Sequence, residues 1–273
     1  MFNPTPPIGS GTTPLNPAPG LKAENAFGRA NTLVAASLER QATGMRINRG
    51  ADDPAGLISS EQLNAQLAAL EAETRASERA DAIAATADAA LSTVSGQLSE
   101  ARALAVANAN TGGMSEAEIE ANQMQAQSIV QSVERQLSSA SFNDVKLFDG
   151  GVRLSTRGET FDIAVTSAAT LGLSDVNTSN PDELASVLSS AAERVNTLRG
   201  EIGSFQKNTL GAIQRNTRVE IENVSAANSI IRDTDFAAES AAFARASILG
   251  ASSGTALRLT NDNTASMLRF VGR

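Results

Sequence analysis

The chain has 273 residues, a net charge of −8 and a pI near 4.8, and its length allows one or two globular domains. The acidic balance and the lack of a Lys/Arg-rich patch exclude ordinary nucleic-acid binding, which needs basic side chains against phosphates. Because the sequence contains neither Cys nor His, it also excludes disulfides, Ser-His and Cys-His catalytic pairs, and zinc sites built on those residues.

The chain begins with a proline-rich segment. Residues 1–20 carry six of the eight prolines, which prevent a continuous helix, so we predict a flexible tail there. The segment lacks the basic start and apolar run of a secretory signal peptide. No stretch of the sequence approaches the run of about 18 apolar residues that a membrane-spanning helix needs, so we expect no membrane insertion.

Two helices are predicted in the first half of the chain. The first runs from Leu21 to about Thr43 and ends at Gly44. An irregular connector over residues 46–56 follows, in which Asp52-Asp53-Pro54 forms a turn or begins the next helix. The apolar anchors of the first helix are Leu33, Val34 and Leu38.

The second helix is predicted from about Pro54 to Asn110, which is roughly 80 Å at about 1.5 Å per residue. Its apolar residues recur at steps of three and four, as in a coiled coil or a long bundle helix. Those in its second half are Leu91, Val94, Leu98, Ala101 and Ala105.

A third helix and a hairpin come next. Ser115 and Glu118 have the spacing of a capping box, in which each side chain accepts a hydrogen bond from the other's backbone amide. Beyond about Ser141 the apolar period changes to two. Val152–Ser155 and Phe161–Val165 are therefore predicted to form a β-hairpin.

The last part of the chain is predicted to be helical again. Asn180 at the cap and Pro181 at the first position begin one helix, and a terminal helix runs from about Thr234 to Arg269. The regular apolar series of the first of these two helices is Leu184, Leu188, Ala191, Val195, Leu198 and Ile202.

These elements predict a mainly α fold. Only 3% of the residues are aromatic while 41% are apolar, many of them Ala, and small apolar side chains suit long helices packed closely side by side. We expect a coiled-coil-like bundle of long helices with a small β-hairpin insert, in which the N- and C-terminal helices pair.

Two segments near opposite ends of the chain form one signature. They are Gly44–Leu57 and Asn228–Glu239, and both closely resemble the paired terminal signatures of bacterial flagellins. Three further stretches resemble motifs of that family in the same order. They are Arg102–Ala107, Ser141–Gly150, and Ala246–Leu249 with Leu257 and Asn261.

The resemblance implies a short flagellin without large outer domains: a structural subunit, not an enzyme, with no cofactor. It implies an N-terminal helix of an inner polymerisation domain at 21–50, a core domain at 51–239 with a β insert at about 150–173, and a C-terminal helix of the inner domain at 240–273. The proline-rich tail and the last residues depart from the family pattern.

The resemblance also implies the partners and the location. The subunit would leave the cell through the flagellar type III export apparatus, aided by an export chaperone, and polymerise with copies of itself into the extracellular filament. It would also contact hook-associated and cap proteins. The residues to which the resemblance assigns assembly roles are Arg46, Ile47, Asn48, Asp52, Asp53, Arg232, Asp233, Asp235, Phe236, Ile248, Leu249, Leu257 and Leu268.

Arg102 and Leu104 stand where the family motif is recognised by the flagellin-sensing innate immune receptor. Glu100 and Ala103, however, stand where the best-recognised flagellins carry Arg and Glu. An ordinary exposed helix surface is the preferred interpretation of this stretch.

The acidic residues of the signature have two interpretations. Asp52-Asp53 and Asp233-Thr234-Asp235 could be metal ligands or acid-base carboxylates. Without His, a glycine-rich loop or a suitably spaced third ligand, cap and turn roles are preferred. We expect Asp233 or Thr234 to cap the terminal helix.

Two alternatives to a filament subunit remain. A hook–filament junction protein shares the terminal helices and an Asp-Asp-Pro element, although the Phe142-Asn143 and Arg232–Phe236 segments favour a flagellin. A helical binding scaffold or adhesin that does not polymerise is the second alternative.

Overall fold

The computed structural model describes residues 18–110, 112–174 and 180–271, so the predicted tail lies almost wholly outside the described residues. The described part is mainly helical, as predicted. The helices are α1 (Ala18–Thr43), α2 (Pro54–Ala109), α3 (Glu116–Ser139), α4 (Ala168–Leu171), α5 (Pro181–Ser204), α6 (Gly211–Arg232) and α7 (Phe236–Val271). The strands are β1 (Ser141–Phe142), β2 (Val145–Lys146), β3 (Val152–Thr156) and β4 (Glu159–Ile163).

The chain divides into two compact units. The terminal unit contains the residues up to Asn64 and those from Ala226 onward, and the central unit is Ala65–Ser225. Helices α2 and α6 each contribute residues to both units. The helix pairing of the termini therefore belongs to one unit and the β insert to the other.

The core of the central unit confirms the apolar series predicted for α2 and α5. All five α2 residues of that series are at most 1% exposed, and all six α5 residues are buried. Steps of three and four place these residues on one face of each helix, so the two series can pack together along their length. Arg199 of α5 and Asp88 of α2 add an ion pair of 2.8 Å beside this packing.

Two of the predicted helix starts are confirmed in atomic detail. The Ser115 hydroxyl accepts from the Glu118 amide, and Glu118 in turn accepts from the Ser115 amide, which completes the capping box at α3. The Glu118 carboxylate accepts hydrogen bonds from both the amide and the hydroxyl of Ser115, and these lower its pKa. The Asn180 side chain accepts from the Glu183 amide at the start of α5.

The insert contains more structure than the predicted hairpin. Strands β3 and β4 pair antiparallel from Val152↔Ile163 to Thr156↔Glu159, so β4 ends two residues earlier than predicted. A second short pair, β1 and β2, was not predicted, nor was the single-turn helix α4. The Phe161 ring on β4 stacks on Phe205, with ring centroids 4.6 Å apart and planes 15° apart.

A π-helix over Phe205–Leu210 joins α5 to α6. Buried residues follow the usual steps up to Phe205, but the next one is Leu210. A π-helical turn accommodates one extra residue, so the five-residue step keeps Leu210 on the buried face. In this turn the side-chain Nε2 of Gln206 also donates to Asp81 Oδ1 of α2 at 3.0 Å.

Candidate assembly site at the chain termini

The two halves of the signature meet in the terminal unit. The Arg46 amide donates to the Arg232 carbonyl at 2.7 Å, and the Thr234 amide donates to the Gly44 carbonyl at 2.9 Å. Met45 and Asp233 thereby form a short antiparallel bridge. We call residues 44–48 and 231–235 the terminal clamp, because this bridge ties the end of α1 to the start of α7.

Side chains of the clamp strengthen the bridge. The Arg46 guanidinium donates to the Ile231 carbonyl at 2.7 Å, and the Asn48 amide group donates to the Met45 carbonyl at 2.9 Å. Ile47 is 1% exposed. It is one of the largest fully buried side chains, and its hydrophobic burial holds the clamp against the first turn of α2.

Asp52 and Asp53 act on two different turns next to the clamp. Asp52 Oδ2 accepts from the backbone amides of Arg49, at 2.9 Å, and Asn48, at 3.1 Å. Both hydrogen bonds lower the pKa of the Asp52 carboxyl, and the one from Arg49 has the larger effect. Asp53 Oδ1 accepts from the Gly56 amide at 2.9 Å and so caps α2.

The acidic residues before α7 divide their roles differently from the prediction. Asp235 Oδ1 accepts from the amides of Ala237, at 2.9 Å, and Ala238, at 3.1 Å, so Asp235 is the cap of α7. The expectation that Asp233 or Thr234 caps this helix is wrong. The Asp233 carboxylate instead accepts from the Ser229 hydroxyl at 2.5 Å, within the last turn of α6.

Arg232 links the clamp to the first turns of α2. Its guanidinium donates to Glu61 Oε1 at 3.1 Å. One turn earlier on α6, Asn228 accepts from the Ser60 hydroxyl at 2.8 Å and donates to Asn64 Oδ1 at 2.9 Å. These polar contacts join the start of α2 to the end of α6.

Helices α1 and α7 pack antiparallel. A Cβ added to Gly250 would lie 3.6 Å from the Ala30 Cβ, and one added to Gly254 would lie 3.3 Å from the Phe27 ring. Near the clamp, Arg40 Nη1 lies 3.8 Å from Glu239 Oε2. Contacts this close require small residues, and the buried ones are Ala30, Ser37, Ala246, Gly250 and Ser253.

Most of the large apolar side chains of α1 and α7 lie outside this contact. Leu33 and Leu38 are about half exposed, so they are not the anchors of α1 that the sequence analysis predicted. Ile248 is 70% exposed and Phe270 is 87% exposed. The exposed large apolar residues of the two helices are Leu21, Leu33, Leu38, Phe236, Ile248, Leu249, Leu259, Met267 and Phe270.

The remaining predicted site residues differ in exposure. Leu257 is half-buried, and Leu268 lies in α7 with a side chain outside the described residues. In the central unit, Arg102 is exposed, whereas Leu104 is partly buried and packs against the core. Arg102 and Leu104 therefore do not present one exposed surface.

One functional feature of this site was missed in the sequence analysis. A series of small residues, alternating with half-buried Phe, Val or Leu, recurs at steps of three and four on both terminal helices and lines the contact. The signal was present in the sequence, as Ala23, Phe27, Ala30, Val34 and Ser37 on α1 and Phe243, Ala246, Gly250, Ser253 and Leu257 on α7. The predicted anchors Leu33 and Leu38 have larger side chains but lie outside the contact.

The described residues contain no group of three or more acidic side chains placed to hold a metal ion. None of their helices combines the length and the apolarity that crossing a bilayer requires.

Two family models match the chain. The model described as bacterial flagellin N-terminal helical region matches residues 17–153, and the one described as bacterial flagellin C-terminal helical region matches residues 185–271. A flagellin of Halalkalibacterium halodurans is 29% identical, over 86% of this chain and 90% of its own. The flagellar filament 33 kDa core protein of Treponema phagedenis is 27% identical, over 91% and 96%. A crystal structure of Bacillus cereus flagellin is 19% identical, with a TM-score of 0.47 over 56% of this chain and 94% of that chain.

Proposed function

The chain belongs to the bacterial flagellin family, and we propose that it is a structural subunit that polymerises through its terminal helices into an extracellular flagellar filament for motility. One observation carries this proposal. Helices α1 and α7 contact each other mainly through small residues and leave most of their large apolar side chains exposed. Soluble monomers rarely expose such extended apolar surface without a binding role.

Copies of the same chain are the energetically favoured partner. Burying one Ile, Leu or Phe side chain contributes about 1.5–3 kcal/mol, and both helices carry several that the subunit itself leaves exposed. An antiparallel pair of helices has little interior of its own, so most of its stabilisation must come from packing against neighbours. In a polymer every subunit supplies the same apolar surface to the next one.

The other partners follow from this role. We assign to the terminal clamp the role of fixing the α1–α7 pair for assembly, through Arg46, Asn48, Arg232 and Asp233. Residues 21–50 and 240–273 are assigned to the inner polymerisation domain. Hook-associated and cap proteins would contact the ends of the filament, and an export chaperone would hold the subunit before secretion. Contact of Arg102 and Leu104 with an innate immune receptor is not part of this proposal.

Polymerisation of the purified chain tests the proposal. We expect salting-out to produce filaments in electron micrographs and a rapidly sedimenting fraction. Ile248→Asp should abolish both without changing the circular dichroism of the monomer, because this side chain is 70% exposed there. Ile248→Leu is the matched control and should polymerise like the parent chain.

The same assay separates the alternatives. A binding scaffold that does not polymerise would stay monomeric in salt, and a hook–filament junction protein would form no long filaments alone. Equal polymerisation of the Asp and Leu variants would show that this surface does not mediate subunit contacts.

A further inference from the structure

The turn between β3 and β4 lies on helices α2 and α6 inside the central unit. Arg157, at this turn, donates to both carboxylate oxygens of Glu220 on α6 at 2.8 Å. Its Nε also lies 3.4 Å from Glu73 Oε1 on α2. One guanidinium therefore joins the hairpin to two helices.

Three buried hydroxyl groups belong to residues close in the chain to those of this junction. Ser77 stands one helical turn after Glu73, Thr217 stands one turn before Glu220, and Thr156 directly precedes Arg157 in the chain. Ser77 and Thr217 are 0% exposed and Thr156 is 4% exposed. Among the described residues, none of the three hydroxyls has a hydrogen-bond partner, and Glu73 Oε1 accepts no hydrogen bond.

Such hydroxyls are usually satisfied within their own helix. Thr74, Thr93 and Thr197 each donate to the carbonyl four residues earlier, at 3.0, 3.2 and 2.9 Å. Ser77 and Thr217 do not make this bond. A buried hydroxyl without any partner loses the hydrogen bonds that it made to water in the unfolded chain, so native proteins rarely keep one.

We propose that Ser77, Thr156, Thr217 and Glu73 Oε1 bind ordered internal water beneath the Arg157 turn. Water fits this set of groups because one water molecule can accept a hydrogen bond from a hydroxyl and donate another to a carboxylate. These four groups lack partners, and a buried water usually makes two to four hydrogen bonds. The guanidinium beside Glu73 disfavours a cation there, since it already supplies the positive charge.

The sign of a stability change tests the proposal. Thr217→Val keeps the shape of the side chain and removes only the hydroxyl. If that hydroxyl binds water, the variant should lower the melting temperature of the full chain by about 2–4 °C. Thr93→Val is the matched control, because this exposed residue makes an ordinary bond to its own helix, and it should shift the melting temperature by less than about 2 °C.

Two further measurements identify the occupant. The double variant Thr217→Val with Ser77→Ala should cost less than the sum of the single variants, since both hydroxyls share the same water. Oxygen-17 relaxation dispersion of the solvent should count fewer long-lived waters in Thr217→Val than in the parent chain. A higher melting temperature for Thr217→Val would overturn the proposal, as it would show an unpartnered hydroxyl. The melting temperature should also be measured in sodium, potassium and choline chloride at equal ionic strength. A higher value in sodium or potassium than in choline would overturn the proposal in favour of a bound cation.

Discussion

The backbone amide of Arg46 donates a hydrogen bond to the carbonyl of Arg232 at 2.7 Å, although the two arginines lie near opposite ends of the sequence. Each side chain then extends the contact. The Arg46 guanidinium donates to the Ile231 carbonyl, and the Arg232 guanidinium donates to Glu61. The segment that follows α1 and the segment that precedes α7 are thus held to each other and to the first turns of α2.

Gly56 gives the first test of the clamp. An added Cβ would lie 2.7 Å from Ile47 Cδ1 and 2.8 Å from Asp53 Cγ. Gly56→Ala must therefore displace a buried side chain or the α2 cap, and we expect it to lower the free energy of unfolding by about 1–3 kcal/mol. Faster hydrogen exchange of the Arg46 and Thr234 amides would locate the damage in the clamp.

Gly96→Ala is the control for that substitution. Gly96 lies in the interior of α2, and nothing lies within 4 Å of the position of an added Cβ. Alanine should raise the free energy of unfolding by about 0.5–1 kcal/mol there, because glycine is a poor helix former. If both variants changed stability by the same amount and sign, the close packing at Gly56 would be of no importance.

The Asp52 carboxylate makes the connector sensitive to pH. Hydrogen bonds from the backbone amides of Arg49 and Asn48 lower its pKa below the ordinary value of 3.8. A lowered folded-state pKa means that the stabilisation is fully present above 3.8 and is lost as the pH falls through the folded-state value. Asp52→Asn should therefore be less stable than the parent at pH 7, and the difference should shrink below this pKa. Carbon-13 titration of the Asp52 carboxyl checks the direction, and a midpoint above 3.8 would contradict it.

Asp144 tests the turn of the unpredicted strand pair. Phe142 pairs with Val145, so the loop has two residues, and both have positive φ, 50° at Asn143 and 65° at Asp144. Glycine is preferred at the second position of such a turn. We expect Asp144→Gly to raise the free energy of unfolding in urea by about 0.5 kcal/mol and Asp144→Ala to lower it. The opposite order would show that the Asp side chain stabilises the turn.

The long apolar series could be predicted from sequence because local spacing alone determines a helix face. Leu91 and Leu98 on α2, and Leu188 and Val195 on α5, have large side chains at regular steps, and all four are 0% exposed. The capping box at Ser115 was predictable for the same reason, since its two partners are three residues apart.

Features that depend on distant residues were harder to predict. The helix that pairs with α1 decides whether Leu33 or Ala30 faces inward. The larger side chain of Leu33 made it the predicted anchor, but Ala30 is the buried residue. Asp233, Thr234 and Asp235 are all plausible caps, and the clamp bridge at Asp233 leaves Asp235 for that role. The π-helix had one signal, the five-residue step from Phe205 to Leu210, which is apparent only once both are known to be buried.

Leu198 tests the core of the central unit. It is 7% exposed in the middle of the α5 series. A carboxylate there would be buried without a partner, so Leu198→Asp should cost about 3–5 kcal/mol and reduce the helical circular dichroism signal at moderate temperature. Asp53→Asn is the comparison, and it should change stability by less than about 0.5 kcal/mol because Asn caps a helix as well as Asp does. Equal helicity and melting of the two variants would mean that this series is not the core.

Removing residues 1–43 and 240–273 tests whether the terminal helices are needed for assembly but not for folding. The truncation deletes α1 and nearly all of α7, yet every residue of the hydrophobic core cluster lies between Ala80 and Leu210 and is kept. We expect a soluble monomer that unfolds cooperatively with the helicity of the central unit and forms no filaments on salting-out. Removing residues 240–273 alone should abolish filaments equally, since α1 then loses its antiparallel partner. Long filaments from either truncated chain would contradict the proposed role of the α1–α7 pair, and a truncated chain without cooperative unfolding would show that the central unit needs the termini to fold.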